Sequence, residues 1–73
     1  MPRKLRALRA DLAREGWRIV RQTGSHQIWK HPLLPGEEVN LAGNDGADAH
    51  RYQERDVREA VIRAREAHGR QQP

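Results

Sequence analysis

Gly16-Trp17-Arg18-Ile19-Val20-Arg21-Gln22-Thr23-Gly24-Ser25-His26-Gln27-Ile28-Trp29-Lys30 reads as a helix stop followed by two short β-type segments joined by a tight turn. Gly16 is placed to end a preceding helix in a left-handed conformation, with Trp17 folding back onto Leu12 as in a Schellman motif. Ile19 and Val20 are β-branched, and Thr23-Gly24 supplies the backbone freedom of a hairpin turn. The stretch therefore predicts one strand over 17–22 and a second over 26–31. It also sets His26 at the mouth of that turn. Histidine is the side chain that takes and gives a proton near neutral pH without help from its surroundings.

Upstream, Arg3 to Glu15 is rich in Leu, Ala and Arg and predicts a first helix, with Pro2 in its opening turn. Leu5, Leu8 and Leu12 recur at helical spacing as one apolar stripe, opposite Arg3, Arg6 and Arg14. Downstream, Pro32 and Pro35-Gly36 mark a hairpin loop over 32–37, and Glu38 to Leu41 a short third strand. Ala42 to Ala49, with Gly43, Asn44, Asp45 and Gly46, is the longest loop. Asp56-Val57-Arg58-Glu59 has capping-box spacing, which predicts a second helix from there to about Ala67 with Val57, Ala60, Val61 and Ala64 on one face. Residues 1–68 then form one domain, and residues 69–73 are expected to fray. The fold class is α+β, in the order α-β-β-β-α: a three-stranded antiparallel sheet with two helices on one face, the order of double-stranded-RNA-binding domains.

A chain of 73 residues has large apolar side chains for only one thin layer between sheet and helices, Ile19, Val20 and Tyr52 among them. An enclosed cofactor pocket needs walls it does not have, so the expected site is an open groove suited to a polymer. Cysteine is absent, which removes disulfides and thiolate metal sites and suits a reducing cytoplasm. No apolar run has the length of a signal-peptide core or a membrane span, so a soluble, cytoplasmic protein is expected. Charge is uneven: residues 1–31 hold eight Lys/Arg against two acidic groups, whereas residues 32–73 hold six against eight. Positive potential thus gathers in the half that carries His26, where it attracts a polyanion. The same counts also fit an ordinary solvated surface.

RNA carries its own nucleophile, the 2′-hydroxyl, beside the phosphodiester it attacks. A catalyst has to remove one proton, steady the phosphorane charge and protonate the leaving oxygen, and a positioned imidazole contributes about a hundred- to ten-thousand-fold through the proton steps. Backbone N–H groups of the Gly24-Ser25 turn and nearby cations would stabilise the charge, Gly24 by close approach and Ser25 by donating from its hydroxyl. Arg3, Lys4, Arg21 and Lys30 are the candidate RNA-binding cations. The scheme calls for no metal and no cofactor.

The pattern Gly16-Trp17-x-Ile19-Val20-Arg21-x-x-Gly24-Ser25-His26-x-Ile28-Trp29 resembles the signature of HicA-type mRNA interferase toxins. The likeness covers residues 5–41 well and the remainder loosely. It implies that His26, matching the histidine of the family's Gly-Ser-His motif, is catalytic, and that Arg21 matches the basic residue that precedes it. It further implies the same α-β-β-β-α plan, a type II toxin that cleaves mRNA, and a HicB-like antitoxin covering the groove around His26. Where the family commonly carries a proline and histidine leading into a Gly-Thr-Leu helix start, this chain has Ala42 to Gly46 and Asp56-Val57.

Other residues carry plainer readings. His26 and His31, an odd number of positions apart, should face opposite sides and share no metal, leaving His31 as a strand end. His50 is either a second proton carrier or a solvent-facing loop residue, and His68 complements a helix dipole. Trp29 either stacks a base or fills the core. Arg63 with Glu59 and Arg70 with Glu66 have ion-pair spacing, and Ile62 points off the apolar face of its helix. Two other functions stay open: a non-catalytic RNA-binding module, and an interaction domain whose basic half is incidental.

Overall fold

A computed structural model of the chain describes residues 1–71. Its elements run α1 (Leu5–Arg14), β1 (Arg18–Thr23), β2 (His26–Lys30), β3 (Glu38–Leu41) and α2 (Arg51–Gln71). The sheet is antiparallel in the order β1-β2-β3, so the expected α+β architecture is the one observed.

The helix stop at Gly16 forms as read. Gly16 has φ +97°, its N–H donates to the Ala13 carbonyl, and the Trp17 N–H donates to the Leu12 carbonyl, the two bonds of a Schellman motif. Trp17 is thereby turned inward, fully buried, with its indole N–H on the Ala60 carbonyl of α2. Leu5, Leu8 and Leu12 meet Val57, Ala60, Ala64 and Ala67 of α2 and the inner sheet residues Trp29, Val39 and Leu41 in one core. The small alanines let the helix backbones approach, and each buried leucine contributes about 1.5–3 kcal/mol.

Three expectations about boundaries are corrected. Pro2 lies outside α1, whose N-cap is Lys4; the first N–H groups, of Leu5 and Arg6, are taken by the Ala47 and Asp45 carbonyls of the long loop. The second helix begins five residues before Asp56, because the other half of a capping box operates earlier: Gln53 accepts the His50 backbone N–H. Asp56 and Glu59 are therefore mid-helix. At its far end α2 runs through Gly69 to Gln71, past the expected end near Ala67; Gln72 and Pro73 lie outside the described residues.

β1 departs from the expected core. Every residue of it is exposed, Ile19 and Val20 included, since the helices cover only β2 and β3. Pairing slips between Ile19, opposite Trp29, and Arg21, opposite Ile28, which makes Val20 a bulge. The inner face carries Gln27, Trp29, Val39 and Leu41. The outer face carries His26, Ile28, Lys30, Glu38, Asn40, Arg21 and Thr23.

Candidate functional site

His26 opens β2 on the uncovered face of the sheet, directly after the Gly24-Ser25 turn, and is exposed. Its Nε2 lies 3.3 Å from Asn40 Oδ1 on β3. An amide oxygen only accepts, so with the ring hydrogen on Nε2 this contact is a hydrogen bond to Asn40, and Nδ1 is then the ring's acceptor. Asn40 thus orients the imidazole, a task that no motif in the sequence announces. It follows only from the register, in which Asn40 faces Ile28, the next outward residue along β2.

Below His26 runs a groove of about 420 Å³ between β3 and α2, lined by His26, Asn40, Glu38, Tyr52, Asp56, Glu59 and Arg63 among others. Its charge is the reverse of the expectation: three carboxylates and one guanidinium line it. Arg63 does not pair with Glu59 as its spacing suggested; its partner is Glu37, reached across the β2–β3 loop. Tyr52, counted as core from the sequence, is 53% exposed, and its ring stacks on His50 at 5.7 Å with only 8° between planes.

The cations named with His26 divide into two groups. Arg21 and Lys30 share its face of the sheet, Arg21 opposite Ile28 and so diagonal to His26, while Lys30 sits 3.9 Å from Glu38. Arg3 and Lys4 stand at the start of α1, in the helical layer, and are tied to other partners. Lys4 pairs with Asp48, and Arg3 with Asp11 while its backbone N–H donates to Glu54. The hydrogen bond from Arg3 holds the Asp11 carboxyl below its ordinary range against the opposing cost of burial, and raises Arg3 in turn.

Gly24 and Ser25 line a second depression with Arg9, Gln22, Gln27, Gly43, Asn44 and Asp45. Gly24, at φ +59°, makes the turn, and a Cβ on it would meet open space. The Ser25 hydroxyl accepts the Gly43 N–H and keeps its own hydrogen to donate. Arg9 holds this end together: its guanidinium donates to Gln27, Asp45 and the Ser25 and Gly43 carbonyls. In the sequence Arg9 is one of many arginines, and only the fold distinguishes it.

The remaining candidates resolve by burial. Trp29 is 4% exposed with its indole on Gln27, so the core reading holds. His31 is no plain strand end. It is 4% exposed, its Nδ1 accepts the Leu33 N–H, its Nε2 hydrogen lies on the Glu15 carbonyl, and its ring meets Trp17 and His68 edge-on. His50 caps α2 and backs Tyr52. Among the described residues no three imidazole, carboxylate or thiol groups gather as a metal ligand set, and no helix is long and apolar enough to cross a membrane.

Fold and site together define a small α+β domain that presents one oriented imidazole from the open face of its sheet, beside a groove. A family model described as HicA toxin of bacterial toxin-antitoxin matches residues 6–68, and the chain belongs to that family. It is accordingly a toxin of a toxin–antitoxin system, with an antitoxin for partner. No curated protein and no solved structure matches the chain.

Proposed function

We propose that the chain is a metal-independent endoribonuclease that cleaves mRNA in the cytoplasm with His26, and that a HicB-like antitoxin silences it by covering that histidine. The observation that carries this reading is the exposed His26 ring, anchored through Nε2 to Asn40 at the rim of a groove, in a member of a toxin family. The Nδ1 lone pair takes the proton of a ribose 2′-hydroxyl. The 2′-oxygen bonds to phosphorus, the bond to the 5′-oxygen breaks, and that oxygen leaves with a proton from water, giving a cyclic phosphate and a free 5′-hydroxyl. Arg21 and Lys30, on the same face, meet the phosphates; the Gly24-Ser25 turn lies at the strand's entry, where its backbone and the Ser25 hydroxyl can donate. Arg3 and Lys4, in the helical layer, add to the field that draws RNA in rather than touching the scissile group.

His26→Ala tests the assignment. The variant should fold, bind RNA within about twofold of wild type, and lose cleavage by a hundredfold or more. Asn40→Ala, which frees the ring, should lower kcat about tenfold with KM unchanged and alter the pH profile, as expected for a positioning residue. Cleavage persisting in a folded His26→Ala protein overturns the reading. Binding without cleavage by either the wild type or the variant replaces it with the RNA-binding module.

A further inference from the structure

We infer that the groove between β3 and α2 is a nucleobase subsite, in which Tyr52 stacks one unpaired base of the RNA next to the phosphate that His26 acts on. The inference deepens the ribonuclease reading and rests on it for the identity of the polymer. Three observations lead to it. Tyr52 is more than half exposed yet lines the groove with His26 and Asn40, an unusual place for an aromatic side chain in a chain with so little core. Its ring has a neighbour on one side: the ring of His50, at the start of α2 and outside the groove lining, lies parallel to it. The groove's carboxylates Asp56 and Glu59, with Glu38 at the rim beside Lys30, repel phosphate, whereas the open sheet face carries Arg18, Arg21 and Lys30.

A nucleotide has two unlike parts, and the molecule has two unlike surfaces to receive them. The phosphate backbone lies along the sheet and the flat base turns down into the acidic groove, against the ring of Tyr52. A base held in a duplex cannot reach Tyr52 without leaving its stack, so the substrate is single-stranded RNA. This separates the chain from the duplex-binding domains whose element order it shares.

A fluorescein-labelled ten-nucleotide RNA of mixed sequence, 2′-O-methylated throughout so that it lacks the nucleophile, is the probe, titrated with the full chain at low salt. Tyr52→Ala should bind it about tenfold more weakly, within the span of stacking a single base on an aromatic. Tyr52→Phe and Tyr52→Trp should remain within about twofold of wild type, and unchanged thermal unfolding checks the fold. Abasic substitution walked along the probe should weaken wild type at one position only and leave Tyr52→Ala unaffected there. A duplex of the same sequence should not distinguish the two proteins. Equal binding by Tyr52→Ala and wild type, or an equal loss on duplex and single strand, overturns the subsite. Cleavage of the unmodified RNA, read separately, decides the ribonuclease assignment: a wild type that binds with the expected Tyr52 dependence but does not cut defeats that assignment and keeps the subsite.

Discussion

Gly16 and Gly24 both have positive φ, but they are not equivalent positions. A Cβ on Gly16 would come within 2.8 Å of His31 Nε2, the atom that bonds the Glu15 carbonyl, whereas a Cβ on Gly24 meets nothing. Gly24→Ala should therefore cost about 1–2 kcal/mol, the left-handed penalty alone. Gly16→Ala should cost that and about 1–3 kcal/mol more as His31 is pushed off its buried acceptor. Urea denaturation of both variants measures the difference; equal midpoints would remove His31 from its keystone role. Single residues were also where the sequence was most and least legible. Gly-Ser-His and Gly16-Trp17 announce themselves because turn chemistry is local. Asn40, Tyr52 and His31 do not, because their tasks come from cross-strand register and from the meeting of segments far apart in the chain.

At the level of helices and strands, local signals placed the three strands to within one residue and the start of α1 to within two or three, and α2 is the instructive exception. Asp56 and Glu59 have capping-box spacing, but Gln53 holds the His50 N–H and also donates to the Ala42 carbonyl, so α2 starts where that buried amide is satisfied on both ends. A polar residue with a tertiary partner outcompeted a motif with none. The first helix carries a testable charge. The ionised Asp11 carboxylate is held by Arg3 and Arg14, so its folded-state proton affinity lies below the ordinary 3.8. The stability it lends is complete above that value and is lost as pH falls through the lower folded one. Asp11→Asn should lower the melting temperature near neutral pH and flatten its decline in the acid range. An acid limb as steep as that of wild type would assign the loss to other carboxylates.

Across the entire molecule, charge is sorted differently from the count along the chain. The basic first half does not ring His26: much of it is spent on ion pairs, Arg3 and Arg14 with Asp11, Lys4 with Asp48 and Arg9 with Asp45. Arg18, Arg21 and Lys30 lie on the outer sheet face, Lys30 beside Glu38, and of these Arg21 and Lys30 are the two assigned to phosphate. Two phosphate contacts to single-stranded RNA predict a shallow salt dependence, with log K falling by about 1.4 per decade of salt. Arg21→Ala should roughly halve that slope, whereas Lys4→Ala should leave it alone; a slope several times steeper would mean that the helical-layer cations touch RNA as well.

The bulge at Val20 bears on how the chain behaves in a crowd. An uncovered marginal strand invites copies of itself to zip on, ladder to ladder, into insoluble stacks. Here the offset between Ile19 and Arg21 breaks the ladder, and Arg18 and Arg21 would confront their own kind in any approaching twin. The β1 edge is in this way guarded against strand-to-strand pairing without another helix to shield it.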